Sequence, residues 1–176
     1  AGFTPDTVDD AEAALHRWAS DDSNGGLPDR SPTARAAVDS ALLDLAARVA
    51  GTSVHRLLAP DSPDRIAVAA LATGATPDDV AASAAEATAS GHVTIKVKVG
   101  VGGVDADLDR VAAVRERVGT DVRIRLDANG AWSASEALRG LERLAVYDPE
   151  FVEEPVAGLE ALAALRLASP VPIAVD

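Results

Sequence analysis

Thr94-Ile-Lys-Val-Lys-Val-Gly100 alternates Thr94, Lys96 and Lys98 with Ile95, Val97 and Val99, and this pattern reads as a β-strand. Successive side chains alternate across a strand, so Lys96 and Lys98 share one face, with Cα atoms roughly 7 Å apart. Two ammonium groups at that distance disfavour each other's protonation, which eases the use of one as a base near neutral pH. The structural alternative is an edge strand whose solvated lysines guard against aggregation. These are the only two lysines in 176 residues, whereas arginine occurs fourteen times and acidic residues twenty-eight, so the pairing calls for an explanation.

Outward from this strand, short Val/Ile/Ala/Leu runs alternate with Ala-rich helical stretches. The pattern predicts strands at 65–72, 93–99, 122–127, 150–153 and 172–175, with helices near 77–90, 104–118, 133–145 and 158–168. Strand starts recur about every 22–30 residues, the size of a βα unit. Such alternation implies a parallel sheet with right-handed crossovers, either an open doubly wound sheet or part of a (β/α)8 barrel. A whole barrel takes about 250 residues. Five strands are available here, so the expected fold class is α/β, a partial (β/α) barrel of about five βα units. A last strand ending on Asp176 would lack its crossover helix, and the chain has no Met, so a fragment cut at both ends is expected.

Residues 1–62 read differently. Val8, Ala11, Ala14, Leu15 and Trp18 lie at helical spacing over 6–19, with Thr7 or Asp6 as the cap. Asp21-Asp-Ser-Asn-Gly-Gly26 breaks that helix, and Ser31-Pro-Thr opens a second over 34–50, closed by Gly51. Its expected buried stripe is Ala37, Val38, Ala41, Leu42, Leu45 and Val49. A short amphipathic segment, Val54-His-Arg-Leu-Leu58, runs into Pro60-Asp-Ser-Pro63, where the division between a helical domain (1–62) and the βα domain (63–176) is placed.

Composition narrows the function. A formal charge of −12 and a pI near 4.5 argue against nucleic acid or an anionic membrane as the main partner. Aspartate outnumbers glutamate about two to one, a balance that resembles proteins of salt-loving organisms, although a GC-rich genome also favours Asp, Ala, Gly and Arg. Without cysteine there is no disulfide, thiolate nucleophile or Cys-ligated zinc. Ala1-Gly-Phe-Thr-Pro-Asp-Thr7 has neither a basic n-region nor an apolar h-region, and no apolar run approaches the roughly 20 residues of a membrane span. A soluble, cytoplasmic protein is expected, with oligomeric state left open.

Three predicted strands end on carboxylates: Asp127, Glu153 and Asp176. In a parallel βα sheet all strand C-termini lie on one side, where such folds place their active sites. Convergent carboxylates repel unless they hold a hard cation, and oxygen donors select Mg²⁺, with Mn²⁺ as a possible substitute. The alternative for each is a helix cap or a solvated loop acid. Lys96 and Lys98 would reach the same mouth. A divalent ion beside a lysine pair suits removal of a proton from the carbon next to a carboxylate, so a small-molecule carboxylate is the expected substrate class.

Lys96-Val-Lys98, Asp127-Ala-Asn-Gly-Ala-Trp132, Phe151-Val-Glu-Glu-Pro155 and Pro172-Ile-Ala-Val-Asp176 together resemble the ordered signature of the enolase superfamily, in its muconate-cycloisomerase-like branch. Within that branch, Arg125-Leu-Asp-Ala-Asn-Gly-Ala-Trp132 with the Glu-Glu-Pro and Ile-Ala-Val-Asp segments most resembles the o-succinylbenzoate synthases of menaquinone biosynthesis. Ala34-Arg-Ala-Ala-Val-Asp-Ser-Ala-Leu-Leu-Asp-Leu45 resembles the helix that ends the family's capping domain, which makes 1–62 the helical remainder of such a domain.

The resemblance implies Lys98 as the proton-abstracting base, Lys96 as its electrostatic partner, and Asp127, Glu153 and Asp176 as Mg²⁺ ligands, with Asn129 beside the metal site and Glu154 turned away from it. It implies a lyase forming o-succinylbenzoate by dehydration through an enediolate. The family's lid loop and second catalytic lysine are absent from this sequence, so the chain alone is expected to be inactive. An N-acylamino-acid racemase or dipeptide epimerase is the alternative within the superfamily, and a non-catalytic βα module the alternative outside it.

The remaining features read as structural. Val99-Gly-Val-Gly-Gly-Val104 lacks the Gly-Lys-Ser/Thr of a phosphate loop and is taken as a βα turn. His16, His55 and His92 are taken as surface or capping groups, and Trp18 and Trp132 as packing residues. Asp105, Asp107 and Asp109 are taken as acids favoured by a helix start.

Overall fold

The structure, a computed structural model, describes residues 6–21, 26–28 and 31–176. The chain forms two compact units that divide between Arg65 and Ile66, three residues beyond the division expected from sequence.

In the first unit, α1 (Val8–Ala19) starts at a capping box. The Thr7 hydroxyl accepts the Asp10 amide while the Asp10 carboxylate takes the Thr7 amide. Asp6 serves another helix, since its carboxylate accepts from the Ser31 and Thr33 hydroxyls at the start of α2 (Pro32–Val49). Ser31 caps α2, Pro32 takes its first position, and Gly51, at φ +65°, follows its end. The expected break after α1 falls largely on residues 22–25, which lie outside the described residues, as do residues 1–5. A short helix, α3 (Val54–Leu58), closes the unit.

The expected stripe of α2 is overturned except at Val38. The helix buries Ala34, Val38 and Ala47, while Leu42, Leu45 and Val49 are exposed. α2 is apolar around most of its circumference, so periodicity could not choose a face; the contact with α1 runs through the small residues Ala11, Ala14 and Ala34.

The second unit is a five-stranded, all-parallel sheet in the order β1 (Ala70–Ala72), β2 (Thr94–Lys98), β3 (Arg123–Asp127), β4 (Pro149–Glu153) and β5 (Ile173–Ala174). Helices α4 (Pro77–Ala89), α5 (Val104–Val118), α6 (Ala134–Leu144) and α7 (Leu159–Arg166) make the crossovers, with a 3₁₀ turn at Ala145–Tyr147. Sequential order without a switch point, with each helix packed on the next, is singly wound: an arc of a (β/α) barrel rather than a doubly wound sheet.

The two faces of the sheet separate by alternation. Ile95, Val97, Ile124, Leu126 and Val152 are fully buried and form the core with Val80 and Ala84 of α4, Val111 and Val114 of α5, and Leu141 and Leu144 of α6. Lys96, Lys98, Arg125, Asp127, Phe151 and Glu153 occupy the other face. There the Arg125 guanidinium lies 5.0 Å from the centroid of Phe151 and donates to Glu150 at 2.6 Å.

The first strand is shorter than the expected 65–72. Pairing begins at Ala70, opposite Ile95, near the start of β2; the preceding residues overrun the ladder, and Ile66 and Val68 are exposed. Among the described residues no helix is long and apolar enough to cross a membrane.

Candidate active site at the C-terminal ends of the strands

β2 lies between β1 and β3, so the edge-guard reading of its lysines fails. The register sets Lys98 opposite Asp127, Asp127 opposite Glu153, and Glu153 opposite Ala174. Parallel pairing thus aligns the strand ends and gathers two lysines and two acids at one rim.

Asp127 is the centre of this cluster and is 3% exposed. Its Oδ2 lies 2.7 Å from Lys96 Nζ and 2.6 Å from Lys98 Nζ, and its Oδ1 accepts the Asn129 amide at 3.1 Å. Lys96 Nζ also donates to both oxygens of Glu153, at 2.9 and 3.0 Å. Asp127 is therefore not a helix cap; Ser133 caps α6 with Glu136 in a capping box. Burial pushes the Asp127 carboxyl up, but hydrogen bonds and charge from Lys96 and Lys98 outweigh it and hold the group below the usual carboxylate range. Burial likewise pulls Lys96 down, and its bonds to Asp127 and Glu153 more than reverse this, leaving Lys96 above the ordinary lysine value. Lys96 is held as a cation.

Two of the three expected acids, Asp127 and Glu153, meet through Lys96. Asp176 does not join them; it is exposed, and its amide donates to Glu154 Oε1 at 3.0 Å. Among the described residues no three of His, Cys, Asp and Glu lie together as a metal cage. The donor set at Asp127 and Glu153 still suits a hard divalent ion, because two carboxylates from adjacent strand ends already share one cation, the Lys96 ammonium. Glu153 and Glu154 diverge: Glu153 meets Lys96, whereas Glu154 takes φ +42° and receives the Asp176 amide.

Sequence reasoning missed Asp107. Taken as an acid favoured at a helix start, it is 1% exposed, and its Oδ2 accepts the Gly100 amide at 2.9 Å and the Trp132 indole N–H at 3.2 Å. The one available signal was Trp132 itself, since a Trp taken as a packing residue usually finds a partner for its N–H. The glycine-rich segment is a βα turn, with Gly103 at the N-cap of α5. His55 is exposed and His92 half-buried; they lie 3.3 Å from Asp64 Oδ1 and the Val68 carbonyl oxygen, respectively.

A partial (β/α) barrel with lysines and carboxylates at its strand C-termini defines the class: a barrel enzyme domain of the kind that places chemistry at that rim. The chain belongs to the enolase superfamily. Residues 79–176 match its Enolase C-terminal domain-like family, and residues 2–59 match the Mandelate racemase / muconate lactonizing enzyme, N-terminal domain family.

The chain is 39% identical to a hydrophobic dipeptide epimerase from Enterococcus faecalis, over 72% of this chain and 35% of that protein. It is 35% identical to D-galactarolactone cycloisomerase from Agrobacterium fabrum, over 98% of this chain and 47% of the relative. The crystal structure of the Enterococcus faecalis dipeptide epimerase, complexed with Mg and the dipeptide L-Leu-L-Tyr, superposes with a TM-score of 0.75 at 35% identity, covering 80% of this chain and 40% of that one. The chain thus spans between a third and a half of these relatives. They are epimerising and cycloisomerising enzymes, which favours the racemase or epimerase alternative over the o-succinylbenzoate synthase expected from the motifs.

Proposed function

We propose that the whole protein is a Mg²⁺-dependent epimerase or racemase that moves a proton at the carbon next to a carboxylate, with dipeptides or N-acylated amino acids as its substrate class. The observation that carries this reading is the pair of lysines on one face of an interior strand, both ammonium groups meeting Asp127 at the rim. Similarity to the dipeptide epimerase supports the substrate class.

The roles follow from position. Lys98, deprotonated, takes the α-proton. Lys96, held as a cation, offsets the negative charge that develops on the substrate. Asp127 and Glu153 would hold Mg²⁺, Asp176, which stands apart from them in this structure, would have to turn in from the end of β5 to complete the set, and the Asn129 backbone N–H fixes the Asp127 carboxylate. Mg²⁺, when bound, supplies Lewis-acid stabilisation of the substrate carboxylate. Return of a proton from the opposite face inverts the centre, and return from Lys98 restores it. A dehydrating o-succinylbenzoate synthase would share the first step and differ in losing hydroxide.

The test is loss of the α-proton signal in D₂O, followed by NMR, for the whole protein with Mg²⁺ and a panel of L-dipeptides and N-acylated amino acids. Exchange with inversion is expected. Lys98→Ala should slow exchange by about 10²–10⁴-fold, the usual contribution of a general base, while Mg²⁺ affinity stays within a few-fold. Undiminished exchange in Lys98→Ala removes the lysine from the mechanism. Wild-type turnover confined to dehydration of the synthase substrate replaces the epimerase reading with the synthase one.

A further inference from the structure

Asp107 is the one buried carboxylate at this rim that the proposed reaction does not use. It is the fourth residue of α5, and its neighbours Asp105, paired with Arg143, and Asp109 are exposed. Asp107 instead points inward, and one oxygen, Oδ2, accepts from two donors in different loops. A carboxylate is expensive to bury, and N–H donors with a helix N-terminus are what make this burial tolerable.

The two donors bracket the reactive groups. Gly100 lies two residues beyond Lys98, and Trp132 lies five beyond Asp127. Between strand and clamp the segments stay bonded, as the Val99 amide donates to the Asp127 carbonyl at 2.9 Å. Gly100 also packs so closely on the next loop that a Cβ there would lie 2.7 Å from Ala131 Cβ. On its far side the Trp132 loop is tied to the end of β4 and the loop after it, through the Ala128 amide to Glu153 O and the Trp132 amide to Pro155 O. Asp107 closes the remaining gap. Without it, the loops after β2 and β3 are joined, past the Val99–Asp127 bond, by the packing of Gly100 on Ala131 and Ala128.

We propose that Asp107 is a positioning residue: by holding Gly100 and the Trp132 indole on one oxygen, it fixes the loops after β2 and β3 and so the geometry between Lys98 and Asp127. This rests on the roles given to Lys98 and Asp127 above. Asp107 does not touch substrate, so its effect falls on kcat rather than KM. A misplacement of about 1 Å between reacting groups can lower a rate on the order of 10²-fold.

The experiment compares Asp107→Ala, Asp107→Asn and Trp132→Phe in the whole protein with Mg²⁺, reading α-proton exchange, Mg²⁺ affinity by calorimetry and thermal midpoint. An Asn oxygen can accept both donors, so Asp107→Asn should recover most of what Asp107→Ala loses. The expected result for Asp107→Ala is kcat lower by at least tenfold, KM within about threefold, and Mg²⁺ binding several-fold weaker. Trp132→Phe removes one of the two bonds and should show a smaller loss in the same direction; it carries the test if Asp107→Ala does not fold.

Folded Asp107→Ala with wild-type kcat and Mg²⁺ affinity overturns the proposal, as does an Asn variant no better than Ala. For Trp132→Phe, unchanged kcat and Mg²⁺ affinity overturns it too. If the wild type exchanges no α-proton, the epimerase reading falls separately, and the Mg²⁺ arm still decides whether Asp107 positions Asp127.

Discussion

Gly100 adopts φ +83° two residues beyond Lys98, and a Cβ at this position would lie 2.7 Å from Ala131 Cβ and 3.2 Å from the Ala128 carbonyl oxygen. Gly119, at φ +76°, has nothing within 4 Å of its hypothetical Cβ, so the two glycines separate backbone conformation from steric overlap. Gly119→Ala carries only the cost of its positive-φ backbone, φ +76° with ψ −173°, about 1–3 kcal/mol. Gly100→Ala carries that cost plus the displacement of a loop that runs from Asp127. We expect denaturant unfolding of the second unit to show a larger loss for Gly100→Ala than for Gly119→Ala, with Mg²⁺ affinity falling in the former alone. Equal losses and equal affinities would mean that the loops yield without moving Asp127. Two non-glycine residues beside the site, Asn129 at φ +48° and Glu154 at φ +42°, also occupy the left-handed region. Asn tolerates it; Glu does not, and the bonds Glu154 makes to Gly130, Ala174 and Asp176 hold it there. Nothing in Glu-Glu-Pro shows this, because the conformation is imposed by neighbouring strands rather than by local preference.

At the scale of elements, α1, α4 and α6 start with the same device: Thr7 with Asp10, Thr76 with Asp79, and Ser133 with Glu136. In each, hydrogen bonds from the cap's hydroxyl and amide lower the pKa of the acid below its ordinary value. A carboxyl whose folded pKa is depressed adds stability that is complete above its unfolded value, near 3.8 for Asp and 4.5 for Glu, and that is lost as pH falls through the folded value. Thermal midpoints should therefore fall on acidification below about pH 4.5, and Asp79→Asn together with Glu136→Gln should flatten that part of the profile. An unchanged slope in the double variant would assign acid lability to other carboxylates. Of these caps only Thr7, beside Asp6, was legible in the sequence, but helix spacing is local, and α3 and the crossover helices fell close to their predicted places. The face that α2 buries was not legible, since an Ala-rich helix carries little periodic contrast. The length of β1 was not either, because strand extent is set by where β2 begins. At the site, the register made Lys96, Lys98, Asp127 and Glu153 readable as one cluster. Asp107 escaped because its partners lie 7 and 25 residues away in the chain and meet only after two loops fold together.

For the molecule as a whole, the excess of acidic over basic residues, 28 against 16, sets long-range repulsion against short-range pairing. The exposed pairs Arg48–Asp44, Arg56–Asp64 and Arg143–Asp105 are single contacts, of a kind that adds little stability and is weakened by salt. The net charge of −12 acts on every surface acid at once and disfavours the compact state. Salt therefore removes more repulsion than attraction. The screening length falls from about 10 Å at 0.1 M to about 3 Å at 1 M, so the benefit should come early and level off. We expect the thermal midpoint, measured without divalent ions at neutral pH, to rise by several degrees between about 0.05 and 0.5 M NaCl and by less over the next half-molar step. A rise that is linear throughout would point to exclusion of salt from the surface, because screening saturates and exclusion does not. A midpoint that falls with salt would mean that the local pairs outweigh the net charge, and the acidic surface would then carry no stability penalty for salt to relieve.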